Sequence, residues 1–182
     1  MIAIDPDTLL RGRDKGGWLS LQSVEQPQAL VPLDLLPDGD GLLVSSGGSS
    51  GCRQICLQPW SHFDQSALAT PFWLEEMGLV PSELFILNPL PLHHVSGLMS
   101  WWRSRCWGAC HEKLPPILMK QPSDLLQFCE ELPQWNSVPS VVSLVPTQLH
   151  RLLAHPAGLS WLRSFAVVWV GGAALSTADA SQ

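Results

Sequence analysis

Short, almost wholly apolar runs recur along this chain and alternate with segments of helical periodicity. A strand that is apolar on both faces must be covered on both faces, which is typical of parallel sheets with crossover helices. The sequence therefore predicts an α/β fold with a largely parallel sheet and helices on both of its faces. Strands are predicted at residues 18–21, 42–45, 84–87, 117–119, 141–145 and 166–170.

Helices are predicted where apolar side chains follow the 3.6-residue period. Residues 61–77 are interpreted as a helix with Ser61 as its N-cap, Pro71 as a kink and Gly78 after its last turn. Further helices are predicted at residues 95–107, from Ser123 and from Pro146. These helices are the expected connections between parallel strands.

The chain divides in two by composition. Residues 1–41, with their many Pro and Gly, are interpreted as an irregular leader, and residues 42–182 as a partial α/β domain. Of the 182 residues 46% are hydrophobic and 14% are charged, against about 25% charged in a typical soluble domain. The formal net charge of −6 supplies no basic surface, which argues against a nucleic-acid partner.

Two uncharged stretches, residues 84–102 and 132–150, approach the length of a membrane span. The first contains two prolines and several polar side chains, and the second contains three prolines and Asn136, which argues against a span. Asp5 and Asp7 stand where a secretory signal would carry basic residues. A cytoplasmic protein without a membrane span is therefore expected.

The five cysteines are an odd number outside a secretory context, so free thiols are predicted. Zinc is the alternative, because Cys52 with Cys56 and Cys106 with Cys110 could form two pairs of ligands beside His111.

A serine- and glycine-rich segment follows the strand predicted at residues 42–45. Such a segment presents backbone N–H groups and hydroxyls to an anion, and it is also typical of a flexible linker. It lacks the Lys of a Walker A loop. The candidate phosphate-binding residues are Ser46, Gly47, Gly48, Ser49, Ser50 and Gly51.

Two more candidate sites follow predicted strands, where open parallel sheets place their ligands. His93 and His94 precede a helix and could orient an anionic substrate or simply cap the helix. Gly171, Gly172 and Ala173 follow the last strand and could lie against a planar group or form only a tight turn.

In order and spacing, these segments resemble the adenylate-forming acyl-CoA ligase superfamily. The likeness covers roughly residues 42–177. It rests on the Ser/Gly segment, then on Pro-Leu-His-His-Val-Ser-Gly at residues 91–97, Val-Pro-Thr at 145–147 and Gly-Gly-Ala-Ala-Leu at 171–175. Most similar within the family are the o-succinylbenzoate–CoA ligases of menaquinone and phylloquinone synthesis.

The resemblance implies a reaction that uses ATP, Mg²⁺ and CoA to convert a small carboxylate into an acyl-adenylate and then an acyl-CoA. It implies that residues 46–51 bind the ATP phosphates and that His94, the candidate catalytic residue, lies between nucleotide and acyl pocket. Residues 171–173 are implied to line the adenine and acyl site.

The sequence also departs from the family pattern. Arg53 and Gln54 stand where the family usually has Pro-Lys, and His93 occupies a position that is commonly aromatic. The Tyr-Gly-x-Thr-Glu segment, whose Glu helps hold magnesium, does not occur before Gln182. The sequence is therefore interpreted as an N-terminal fragment that is inactive alone and prone to self-association. A non-catalytic nucleotide-binding or scaffold module of the same fold is the alternative.

Overall fold

The structure, a computed structural model, describes residues 5–21, 32–45 and 55–174. The helices are α1 (Pro6–Lys15), α2 (Trp60–Glu76), α3 (Val95–Trp107), α4 (Pro122–Glu130), α5 (Pro146–Leu153) and α6 (Pro156–Arg163). The strands are β1 (Trp18–Ser20), β2 (Gly41–Ser45), β3 (Ile55–Pro59), β4 (Phe85–Asn88), β5 (Cys110–Lys113), β6 (Ser140–Leu144) and β7 (Val167–Val170). Short 3₁₀ helices cover Leu33–Leu35, Pro81–Glu83 and Pro116–Lys120.

The main sheet has four strands in the order β5-β4-β6-β7, and all its neighbouring strands are parallel. Residue 85 pairs with residues 110 and 140, and residue 141 pairs with residue 167. Because the strands are parallel, their carboxyl ends lie at one edge of the sheet. The predicted α/β fold with a largely parallel sheet is confirmed.

Helices cover both faces of this sheet. On one face Leu87 and Val142 pack in a core with Leu125, Leu149 and Trp161 from α4, α5 and α6. On the other face Ile86 and Val141 pack with Leu74 of α2 and Trp107 of α3. Successive residues of a strand point to opposite faces, so two covered faces require the continuous apolar runs seen in the sequence.

A second, smaller sheet joins β1, β2 and β3. β1 is parallel to β2, whereas β3 is antiparallel to β2 and follows it along the chain. Its residues Leu42 and Val44 share a core with Trp60 of α2 and Leu98 of α3, so these two helices connect the sheets. The strand β3 was not predicted, because the Ser/Gly segment was expected to lead directly into a helix.

The prediction that residues 1–41 are irregular is wrong for residues 6–15, which form α1. The Asp5 carboxylate caps this helix by accepting the Thr8 backbone N–H at 2.8 Å, and Pro6 occupies its first position. Arg13 then anchors α1 by an ion pair of 2.7 Å with Asp64 on α2. The strand predicted at residues 18–21 is confirmed as β1.

Several predicted element boundaries need correction. Helix α2 begins at Trp60 after Pro59, so Ser61 lies inside it, and α4 begins at Pro122 after Gln121, so Ser123 is not its N-cap. The strand predicted at 117–119 is a 3₁₀ helix, because the ring of Pro116 fixes φ at a helical value and removes an N–H from any ladder. Strand β5 and helix α6 were not predicted from the sequence.

Candidate active site

Three of the four motif segments meet at the carboxyl-end edge of the main sheet. The segment 89–97 follows β4, Val145 and Pro146 follow β6, and Gly171 and Gly172 follow β7. This is the edge at which parallel sheets bind ligands. The fourth segment, with the candidate phosphate-binding residues 46–51, lies outside the residues that the structure describes.

His94 is the N-cap residue of α3 and is exposed. Its backbone N–H donates to the Pro91 carbonyl at 3.1 Å, and its own carbonyl accepts the Leu98 N–H at 2.9 Å. The His94 ring centroid lies 4.4 Å from that of His93. The imidazole therefore stands at the start of α3 on the same sheet edge as Gly172, and its catalytic role stays a prediction.

Gly97 allows α3 to begin in this position. A Cβ at residue 97 would lie 2.6 Å from the Leu90 carbonyl oxygen and closer still to that of Pro91. Only glycine therefore lets the first turn of α3 pack against the preceding loop. Gly97, the last residue of the motif at 91–97, is therefore required for steric reasons in this chain.

A cavity of about 240 Å³ opens between α3 and the ends of β6 and β7. Its wall from α3 presents Ser96, Met99 and Arg103, at the spacing of one helical face. The strand side contributes Ser143 and Trp169, together with Leu144, Val170, Gly171 and Gly172. The cavity therefore combines apolar walls with two hydroxyls and one cation.

Gly171 and Gly172 leave the mouth of the cavity open. A Cβ at residue 171 would meet nothing within 4 Å, and residue 172 has a φ of +86°, which favours glycine. A flat group could therefore lie against this turn, as the sequence suggested. Ala173, the third residue of the motif, is exposed beside it.

Arg103 is the charged group of the cavity. Its guanidinium carbon lies 5.1 Å from the centre of the Trp169 ring, within the range of a cation–π contact. Its buried Nε has no hydrogen-bond partner among the described residues, and burial lowers the pKa of the guanidinium. A partly buried cation whose buried Nε–H is unused attracts an anion, so Arg103 is the natural partner for a carboxylate or phosphate.

Sequence reasoning missed Arg103. The signal was present, because Ser96, Met99 and Arg103 recur at steps of three and four along the predicted helix. Only the folded chain shows that this face meets the strand ends. Ser100 supports the same wall, since its Oγ lies 3.2 Å from Ser143 Oγ on β6 and 3.1 Å from the Ser96 carbonyl.

No cysteine in the part of the chain that the structure describes lines this cavity. Cys56, Cys106, Cys110 and Cys129 are free thiols, as predicted, and Cys52 lies outside the described residues. Within residues 5–21, 32–45 and 55–174, no three His, Cys, Asp or Glu side chains come together as metal ligands. Cys129 is buried and accepts the Trp161 Nε1–H at 3.1 Å, and burial raises the pKa of its thiol to about 11.

Sequence comparison adds nothing to this picture, because no protein-family model and no curated protein matches the chain. Structural comparison is decisive for the fold. The chain has the fold of the N-terminal domain of AMP-forming acyl-CoA synthetases. The resemblance drawn from the motif order is confirmed at this level.

Two similar structures are o-succinylbenzoate coenzyme A synthetases. The Bacillus subtilis enzyme, in complex with AMP, has a TM-score of 0.54 and 20% identity over 77% of this chain and 26% of its own. The Escherichia coli enzyme, with a phenylether-linked analogue of OSB-AMS bound, has a TM-score of 0.50 and 28% identity over the same shares. A malonyl-CoA ligase with methylmalonyl-CoA and AMP bound has a TM-score of 0.52 and 24% identity, over 84% of this chain and 32% of its own.

The chain thus spans between a quarter and a third of the length of these three synthetases. Within the described part of the chain, no helix is long and apolar enough to cross a membrane.

Proposed function

We propose that this chain is part of an ATP-dependent carboxylate–CoA ligase, which converts a carboxylate into an acyl-adenylate and then into an acyl-CoA. The observation that carries the proposal is the cavity beside Arg103 at the carboxyl-end edge of the sheet. It lies in a fold shared with synthetases whose structures contain AMP and an acyl-CoA. His94 and the Gly171–Gly172 turn lie on the same edge.

In this proposal the chain binds the two reactants side by side. Residues 46–51 supply backbone donors to the ATP phosphates, and residues 171–173 support the adenine and the acyl group. His94 lies between them and forms a hydrogen bond near the reacting carboxylate. Donors fixed in advance stabilise the charge that develops as the carboxylate attacks the α-phosphorus, because they need no reorganisation during the reaction.

The cavity suggests a substrate with two acidic groups. Met99, Leu144 and Trp169 offer apolar contact for a ring or short chain, and Arg103 in the same cavity offers an ion pair. One carboxylate could then pair with Arg103 while another reacts. We propose o-succinylbenzoate, an aromatic dicarboxylate, as the substrate, with a role in menaquinone or phylloquinone synthesis, in line with two of the similar enzymes.

The proposed reaction also requires magnesium and CoA. The described residues bring together no group of three side chains of the kind that holds Mg²⁺. We propose that the 182-residue chain alone does not complete adenylation, because the similar synthetases are about three to four times longer than the part it matches. A non-catalytic nucleotide-binding or scaffold module is the alternative, favoured by the absence of a Lys from the Ser/Gly segment.

The proposal is tested by pyrophosphate release with ATP, Mg²⁺ and o-succinylbenzoate. The assay compares the 182-residue chain with the product of the whole reading frame that encodes it. Turnover by the longer product, and none by the chain, is expected. Failure of the longer product with a series of carboxylic acids would favour the non-catalytic module.

Binding of the acid tests the cavity separately. In calorimetry, Arg103→Ala is expected to weaken o-succinylbenzoate binding about tenfold or more, because it removes a charge-assisted contact. Arg105→Ala is the matched control, since Arg105 is exposed and its guanidinium carbon lies 5.7 Å from the Trp101 ring centre. Equal effects of the two substitutions would place the acid elsewhere.

A further inference from the structure

The segment that carries His94 is held at both ends by a single buried side chain. We propose that this side chain, Asn88, is itself held in place by His111, so that the Asn88–His111 pair positions the candidate active site. Neither residue lines the cavity; both act through residues 89–97.

Asn88 ends β4 and is fully buried. Its Oδ1 accepts the Leu90 backbone N–H at 3.1 Å, and its Nδ2 donates to the Gly97 carbonyl at 2.8 Å. These two bonds close the loop from both sides, because residue 90 lies near its beginning and residue 97 lies in the first turn of α3. They also fix the orientation of the amide, since a flipped amide would place an N–H against an N–H and an oxygen against a carbonyl.

His111 receives the remaining hydrogen of that amide. Its Nε2 lies 3.2 Å from Asn88 Nδ2, across the parallel pairing of β4 and β5. Because the amide orientation is fixed, Nε2 must be the acceptor, and the neutral ring must carry its proton on Nδ1. Burial, with a smaller effect of Lys113, lowers the pKa of His111 to about 4, which keeps this ring neutral near pH 7.

The consequence for the site is mechanical. Without an acceptor at residue 111, a buried N–H of Asn88 has no partner, and the amide can turn away from the loop. The loop carries His94, and the helix turn it leads into carries Ser96 of the cavity wall. His111 is therefore a positioning residue, which gives a function to a histidine whose place beside Cys110 had suggested zinc as an alternative.

The first test determines which ring nitrogen of His111 carries the proton. Nitrogen–proton NMR correlation spectra of the wild-type chain at neutral pH should show His111 protonated on Nδ1 and unprotonated on Nε2. A proton on Nε2 would overturn the proposal. This measurement needs no variant, so it remains decisive even if a substitution prevents folding.

The second test compares His111→Leu with His111→Gln, which retains an acceptor, and with Glu112→Gln on the same strand. Removing the acceptor should speed hydrogen exchange of the Leu90 amide by about tenfold relative to wild type. The Gln variant should recover most of that protection, and the Glu112 control should match wild type. A folded His111→Leu protein with unchanged Leu90 exchange would refute the pairing.

A third measurement rests on the proposed function. The affinity for o-succinylbenzoate should fall about tenfold in His111→Leu and recover in His111→Gln, because the loop and the α3 turn lose their fixed position. If the wild-type chain does not bind the acid, the proposed substrate is wrong, while the ring and exchange measurements still decide the positioning role. Binding that is unchanged in His111→Leu despite faster Leu90 exchange would show that the pair does not act on the site.

Discussion

The two faces of the parallel sheet are built for different purposes. The face covered by α4, α5 and α6 is an apolar core, in which Trp161 and Leu125 are fully buried. The face covered by α2 and α3 also has an apolar core around Ile86 and Val141, but polar side chains lie beside it. These are Asn88, Ser143 and His111. Because alternate residues of a strand point to opposite faces, a single four- or five-residue strand can serve packing on one side and chemistry on the other.

Strand β6 shows this division most directly. Val142 belongs to the α4–α6 core, while the next residue, Ser143, contacts Ser100 of α3. Alternation along β6 therefore places a core residue directly beside a residue that lines the cavity. Substitutions on the two faces should therefore differ in kind.

The largest loss of stability is expected on the α4–α6 face. Trp161→Ala should lower the free energy of unfolding by about 3–5 kcal/mol, because it opens a cavity and removes the edge-on contact with Phe165. The centroids of these two rings are 4.5 Å apart. Urea denaturation measures the change. Trp73→Ala is the control, since Trp73 is 43% exposed and should cost about 1 kcal/mol or less. Similar losses in the two variants would contradict the assignment of the core.

The α3 face should respond to pH, because it contains the partly buried His111. The pKa of this imidazole falls from an ordinary value of 6.5 to about 4 in the folded chain. Between these pH values the unfolded chain binds more protons, so acidification from pH 7 to pH 4 should lower the free energy of unfolding by up to about 3 kcal/mol. Below pH 4 this group causes no further loss.

Urea denaturation across that pH range measures the effect. The His111→Gln variant lacks the ionisable imidazole, so its free energy of unfolding should change less with pH than that of the wild type. Other titratable groups account for the change that remains. Identical slopes would mean that His111 titrates normally in the folded chain.

A smaller loss is expected where α3 meets its preceding loop. Gly97→Ala should cost about 1–3 kcal/mol, because its methyl group collides with backbone carbonyls. Gly171→Ala, at the other end of the candidate site, has open space and should change stability by about 0.5 kcal/mol or less. Thermal unfolding of the two variants measures this difference in stability. A Gly97→Ala protein as stable as the Gly171→Ala protein would contradict the close approach.

The smallest effect on folding is expected on the outer surface of α2. Leu68 and Phe72 of α2, and Met77 directly after it, are 65%, 72% and 48% exposed, which favours the self-association predicted for this apolar chain. Phe72→Ser should shift sedimentation toward the monomer with little change in stability. Glu76→Gln, which leaves the apolar surface intact, should sediment like the wild type. The prediction of self-association is contradicted if the wild-type protein sediments as a monomer at a concentration of about tens of micromolar.

Local patterns predicted the elements whose signals lie within a few residues. Helix α3 has the predicted bounds because its apolar period ends at Gly108, which adopts the left-handed conformation of a helix terminus. The run at 117–119 was misread because three apolar residues look alike in a strand and in a 3₁₀ turn. The neighbouring prolines were the better guide.

The candidate site was only partly predictable, for a different reason. His94 and Gly171 stand in recognisable local sequences. Arg103 acquires its role only when α3 packs against β7, and Asn88 meets His111 only through the register of β4 and β5. Such contacts join residues far apart in the chain, so one sequence without its fold does not reveal them.

The buried pair of Trp161 and Cys129 has a practical consequence. Thiolates, not thiols, react with alkylating reagents, and a pKa near 11 leaves almost no thiolate at neutral pH while the chain is folded. Unfolding restores an ordinary thiol. The rate at which Cys129 becomes labelled therefore measures how often the α4–α6 core opens. Mass spectrometry of the peptide that contains Cys129 follows this rate. The same reaction at the exposed Cys110 records how fast the reagent reacts without any opening.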